Sequence, residues 1–274
     1  MSFALNYSPC AAKLLSAGEI QVALFKCPEW PDLIAEVLKQ SPCYPHFAFL
    51  AGRGQVQNAD WGTVHRLMDL THAPHFNLHL GPRVTDFPGL ALDSTDPRDR
   101  DRLVEAMIRD VLFALREFPP ERTALENLMW DPRPPWEIPL WALQPGVIRE
   151  VVERTGCRLL LDLSHAGISA RRLGMPVEEY VLSLPVDRLS EMHLSGTRLC
   201  EDGLWLDHHP LRDEDWRLIE WALGRIVSGE WPAPQIIAFE YGGIGPGYEA
   251  RTNEQVLRTQ VPQLASRLQE LRLF

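Results

Sequence analysis

Short apolar runs alternate along this chain with stretches whose apolar residues recur every three or four positions. The runs at residues 3–7, 22–26, 46–51, 76–80, 123–128, 158–164, 189–194 and 236–241 have the length of strands. The intervening residues 11–17, 31–39, 61–70, 98–118, 145–155, 176–184, 213–228 and 253–271 carry the helical period. Strand followed by helix, repeated through the whole chain, predicts an α/β protein: a (β/α)8 TIM barrel forming a single domain over residues 1–274. An open doubly wound sheet uses the same alternation. Eight repeats, with polar residues spread over six successive strand units, favour closure. Several helices carry start signals: Asp60 before Trp61, Asn253 before the last helix, and the acidic run Asp213-Glu214-Asp215 at the seventh.

Composition narrows the class. Apolar residues make up 45% of the 274, enough for a sizeable core. A net charge of −10 argues against a large non-specific nucleic-acid footprint, which needs a basic surface. No run of apolar residues is long enough to span a membrane, and the N-terminus lacks the basic and apolar regions of a signal peptide. The five cysteines (Cys10, Cys27, Cys43, Cys157, Cys200) are scattered, without a C-x-x-C pair, as in a reduced cytoplasmic protein.

The informative residues interrupt the apolar runs. His46 opens the third strand rather than closing it. His79 shares the polar face of FNLHLGP with Asn77, just before a Gly-Pro break. Glu126 lies in TALENL, where an unpaired buried carboxylate would cost several kcal/mol, so it needs a cation or a hydrogen-bonded partner; Asn127 beside it can orient a ligand. RLLLDLSHAG places Asp162 after three leucines and His165 three residues later, where a turn can bring both to one point. His193 sits in SEMHLSG, and Glu240 ends the apolar strand QIIAFEYGG. Asp207 and His209 are two apart, so extended backbone points them the same way and turns His208 aside. A barrel places its chemistry at the C-terminal ends of its strands. His46, His79, Glu126, Asp162, His165, His193, Asp207, His209 and Glu240 are too many donors for one ion and predict a cluster of two or three metals.

Imidazoles and carboxylates without thiolate suit zinc, manganese or iron. A bridging carboxylate would set two ions about 3.5–4 Å apart. No catalytic group beyond the ligands is identifiable. Residues 129–144, rich in Pro and Trp, follow the fifth strand on the same face and read either as a lid or as a Pro-stiffened loop. Trp130, Trp136, Trp141 and Trp205 are candidates for the mouth, each with packing as its ordinary role, and Lys26 ends the second strand with its role open.

At these residues the chain resembles the xylose-isomerase-like barrel superfamily. The ligand order His, His, Glu, Asp-x-x-His, His, Asp-x-His, Glu is similar to that of endonuclease IV, a trinuclear zinc nuclease. The stretches LENL, LLLDLSHAGISARRLG, LPVDRLSEMHLSG and LDHHPLRDEDWRLIEWAL instead resemble the multinuclear non-haem iron-dependent oxidative enzymes of the methanobactin-biosynthesis type, over roughly residues 123–241. Those enzymes usually carry asparagine where His165 stands, and the first hundred residues match them weakly.

The second resemblance implies iron as the favoured metal, dioxygen as oxidant, and a small-molecule or peptide substrate, often a cysteine in a ribosomally made peptide. It also implies a partner protein for substrate delivery. The first resemblance implies a zinc-dependent phosphodiester hydrolase, which would need a basic surface; the chain offers only dispersed arginines, Arg53, Arg83, Arg98, Arg100, Arg102, Arg171 and Arg172. A metal-dependent sugar isomerase or epimerase of the same superfamily, and a degenerate barrel serving as a binding subunit, complete the alternatives.

Overall fold

The computed structural model describes residues 1–245 and 247–273. Its strands are β1 (Ser2–Asn6), β2 (Leu24–Pro28), β3 (Cys43–His46), β4 (Leu50–Ala51), β5 (Phe76–Leu80), β6 (Thr123–Glu126), β7 (Arg158–Asp162), β8 (Leu189–Leu194), β9 (Gly196–Leu199), β10 (Trp205–His209) and β11 (Ile236–Phe239). The pair β9 and β10 forms an antiparallel hairpin; the others form one parallel sheet in the order β3-β2-β1-β11-β8-β7-β6-β5-β4. The end strands β3 and β4 are consecutive in the chain, separated only by residues 47–49. They are two halves of one strand, so the sheet returns on itself as the expected eight-stranded barrel.

The break in that strand has a specific repair. The Asn77 side chain accepts from the Phe47 N–H at 2.9 Å and donates to the Phe47 carbonyl at 3.0 Å. A side-chain amide, which offers both a donor and an acceptor, thereby replaces a rung of the backbone ladder. The ladder resumes where the Phe49 carbonyl accepts from the His79 N–H at 2.9 Å.

Helices α1 (Pro9–Ser16), α2 (Pro31–Val37), α3 (Trp61–Thr71), α4 (Pro97–Ala114), α5 (Pro145–Thr155), α6 (Leu163–Leu173), α7 (Val177–Ser183), α8 (Asp213–Val227) and α9 (Glu254–Glu270) surround the sheet. Asp60 and Asn253 cap α3 and α9 with side-chain hydrogen bonds, and the acidic run opens α8, as expected. Helix α6 corrects the sequence reading, which extended the sixth strand to residue 164. The strand ends at Asp162, whose Oδ1 accepts from the His165 N–H at 2.7 Å and so caps the helix N-terminus. Gly174 closes α6 in the left-handed conformation that glycine adopts freely (φ 68°).

Alternation divides the core. Leu159 and Leu161 of β7 face the helices and join the main apolar cluster, whereas Leu160 and Asp162 are buried on the other face, inside the barrel. Each such leucine contributes roughly 1.5–3 kcal/mol by burial. Packed leucines of this kind fix the strands rigidly enough to hold charged side chains at their ends. No helix among the described residues is long and apolar enough to cross a membrane.

Candidate metal centre

The structure brings eight of the nine expected residues to one place, all but His209. Because β3 stops at His46, this histidine ends its strand like the others. Glu126 and Asp162 are the last residues of β6 and β7, His79 lies level with Glu126, and His193 lies level with Asp162. Glu240 follows β11 directly, its N–H donating to the Leu194 carbonyl at 2.7 Å.

Three overlapping groups result. In the first, the Nε2 atoms of His46 and His79 are 3.1 Å apart, and Glu126 Oε2 lies 3.4 Å from the former and 3.1 Å from the latter. Ligand atoms at about 2.0–2.1 Å around a tetrahedral ion are separated by about 3.3 Å, so these spacings suit a single cation. His79 Nδ1 donates to the Phe49 carbonyl at 3.3 Å, which leaves Nε2 with its lone pair.

Glu126, Asp162 and His165 form the second group, their donor atoms within 4.8 Å of one another. His165 Nδ1 donates to the Asn127 carbonyl at 2.9 Å, and its Nε2 lies 3.0 Å from Asp207 Oδ2. A ring nitrogen bearing a lone pair cannot sit that close to a carboxylate oxygen without a proton or a cation. Asn127 also holds Asp162, donating to its carbonyl at 2.9 Å and accepting from its N–H at 3.0 Å.

Asp162, His193 and Glu240 form the third group. His193 Nδ1 is 3.2 Å from Glu240 Oε1 and 3.9 Å from Asp162 Oδ2. On the opposite edge of its ring, Nε2 donates to Glu191 Oε1 at 2.8 Å. Tyr44 donates its hydroxyl proton to the same Glu191 at 2.6 Å, and His75 Nε2 bonds to its other oxygen. Sequence reasoning missed Glu191, His75 and Tyr44. The two-residue period that aligns Glu191 with His193, and His75 with Asn77 and His79, was the available signal.

One expected placement is reversed. His208, and not His209, turns inward: its Nε2 is 3.5 Å from Asp207 Oδ2 and 3.8 Å from Glu240 Oε2, while its Nδ1 lies 3.2 Å from the Gly242 carbonyl. His209 is absent from the cavity lining and from the three donor groups. The cause is an irregularity in the hairpin. The register shifts between Leu206 and His209, and His208 takes a positive φ of 56°, so the alternation assumed for extended backbone fails. Gly196 permits this arrangement, because a Cβ there would overlap the Pro210 carbonyl.

Buried carboxylates are in excess here. Five carboxylates, Glu126, Asp162, Glu191, Asp207 and Glu240, are buried around one ammonium, that of Lys26, which donates to Glu240. Each buried ion costs several kcal/mol unless it is paired. Burial pushes the pKa of Asp162 up, and Glu126 and Asp207 add to the effect. Burial also opposes ionisation of Glu126, but His79, His193 and His165 outweigh it and lower the pKa to about 2. Against its own burial, His165 is raised to about 10 by Asp162, Asp207 and Glu126. Glu126 Oε2, Asp162 Oδ2 and His193 Nδ1 are buried with no hydrogen-bond partner. Orphaned atoms from three different strands, each in a donor group, fit metal ions.

A cavity of about 560 Å³ opens over the centre. Trp136, from the Pro- and Trp-rich segment, lines it, as do Trp30 and Tyr248, which the sequence reading did not single out. The other three tryptophans proposed for the mouth pack elsewhere. Arg172 stacks on Trp130 at 4.3 Å, Arg171 stacks on Trp205 at 4.3 Å, and Trp141 packs against the main core.

Comparison with known proteins places this geometry in context. The family model described as "RiPP precursor modification enzyme MbnB/TglH/ChrH" matches residues 144–233. A UPF0276 protein of Vibrio parahaemolyticus is 36% identical over 106 residues, which cover 34% of this chain and 37% of that protein. A UPF0276 protein of Caulobacter vibrioides is 40% identical over 80 residues, 28% of each chain. The matched regions thus span about a third of these relatives. Among solved structures, the family 2 AP endonuclease from Brucella melitensis superimposes over 96% of this chain and 99% of its own, with a TM-score of 0.56 and 17% identity. The IOLI protein with a binding zinc atom covers 97% of this chain and 96% of its own, with a TM-score of 0.59 and 13% identity. A xylose isomerase domain protein from Planctomyces limnophilus gives a TM-score of 0.56 at 12% identity, covering 99% and 97%. The chain therefore shares the α/β barrel fold of these structures.

Proposed function

We propose that this chain is a multinuclear non-haem iron enzyme that uses dioxygen to oxidise a peptide or small-molecule substrate, with a peptide cysteine the indicated class. The observation that carries the metal centre is the position of Glu126. Its Oε2 faces His46 and His79, while its Oε1 faces His193 Nδ1 at 3.7 Å and lies on the side of the Asp162–His165 group. A carboxylate with one oxygen in each of two histidine-containing groups is placed to bridge two ions.

The ligand set we assign is His46, His79, Glu126, Asp162, His165, His193, Asp207 and Glu240, with His208 in place of His209. The reaction class rests on the match to the RiPP-modifying family model, whose range includes Asp162, His165, His193 and Asp207. Bound iron would supply redox capacity toward dioxygen. The protein's own part is positional. Asn127, the Phe49 carbonyl and Glu191 each fix one histidine ring, so that its free nitrogen is aimed before any ion arrives. The cavity wall of Trp30, Trp136 and Tyr248 offers flat apolar surfaces to a side chain entering from the mouth.

The arginines weigh against the phosphodiesterase alternative. Arg53, Arg98, Arg100, Arg102 and Arg171 each lie within 4 Å of a carboxylate, and Arg83 and Arg172 lie over Trp136 and Trp130. The five paired with carboxylates make a poor phosphate-binding surface. The test is anaerobic purification without chelators, metal analysis, and oxygen uptake with cysteine-containing peptides, alone and with a candidate partner protein. Iron with substrate-dependent oxygen uptake is expected. Stoichiometric zinc with cleavage of an abasic-site duplex would replace this reading with the hydrolase.

A further inference from the structure

Lys26 has no place in the ligand set, yet it lies at the centre. It sits on β2, level with Asn6 on one side and Tyr44 on the other, and is buried with 7% of its surface exposed. Its ammonium donates to Glu240 Oε1. That oxygen is the one that faces His193 Nδ1 at 3.2 Å.

The three donor groups are therefore not equivalent. The first two share Glu126, which feels the charge of Lys26 but, among the described residues, forms no ion pair with it. The third, Asp162, His193 and Glu240, already has a cation on one of its donor atoms. A divalent ion in the third group would compete with the ammonium for Glu240 Oε1 and would be repelled by it at close range. A lysine ammonium is a compact point charge with three donors, well suited to stand where a small cation would otherwise go.

We propose that Lys26 is a built-in cation for the third group, so that the centre takes two divalent ions rather than three. Glu240 then leaves the ligand set and serves as the acceptor that holds the ammonium beside the pair, while His193 Nδ1 still faces Glu126 Oε1 at 3.7 Å; the fixed positive charge offsets part of the excess of buried carboxylates. This assignment rests on the metal-centre reading above, and the experiment separates the two.

The whole chain is loaded anaerobically with Fe(II), and in parallel with Zn(II), then desalted, and metal per chain is counted by plasma mass spectrometry. Wild type is expected to hold two ions, Lys26→Met three, and Lys26→Arg two. Lys26→Gln provides a second neutral variant, and far-UV circular dichroism establishes that each variant is folded. Wild type with three ions overturns the proposal regardless of how the variants behave. So does a count that neutralising Lys26 leaves unchanged. Absence of bound metal from every variant, wild type included, overturns instead the metal centre on which the proposal depends.

Discussion

Glu191 Oε1 accepts the His193 Nε2–H at 2.8 Å and thereby decides which nitrogen of His193 faces the centre. A carboxylate behind a ligating imidazole fixes its tautomer and raises its basicity, and losing such a partner typically weakens metal binding about 10–100-fold. Glu191→Gln is expected to weaken binding within that range in a competitive chelator titration. Unchanged affinity would show that the Tyr44–Glu191–His75 network only fills the barrel.

The reversal at the hairpin yields a paired test. His208→Ala is expected to lower metal content or affinity, because His208 faces Asp207 and Glu240. His209→Ala is expected to leave both unchanged. The opposite result would restore the placement that simple alternation implies.

His165 makes the stability depend on pH in a defined direction. Its pKa in the folded chain, about 10, is raised above the ordinary value of 6.5. In chelated protein the stabilisation it provides is complete below about pH 6.5 and is lost as pH rises through about 10. Metal uptake must expel that proton, so binding tightens as pH rises. Melting temperatures of chelated and loaded protein at pH 6.5 and 9 should therefore diverge at the higher pH. A gap that stays constant would remove His165 Nε2 from the ligand set.

Asn127 is a structural keystone that does not depend on metal. Its side chain satisfies both the N–H and the carbonyl of Asp162 inside the barrel. Asn127→Ala leaves buried backbone groups unpaired, at a cost of about 1–3 kcal/mol each. A lowered melting temperature, in chelated as well as loaded protein, is the expected readout.

Much of the centre was legible because charged residues in apolar strands are costly and therefore conspicuous, as with Glu126, Asp162 and Glu240. Helix α6 was hidden by a double use of residues. The Asp162–His165 spacing reads as a metal pair, but the same aspartate also caps a helix, and only the first use was taken up. His208 was hidden because a register shift breaks the parity on which strand reasoning depends. Lys26 was visible as a residue, but its partner Glu240 is 214 positions away, a contact that only barrel closure creates.

The repaired break in the third barrel strand has a mechanical consequence. His46 and His79 stand on opposite banks of that seam, where Asn77 substitutes for missing backbone pairing. An ion gripped by both rings would clasp the barrel at its weakest join. Amide hydrogens around Phe47 and Phe49 should then exchange slowly in loaded protein and quickly once the clasp is released.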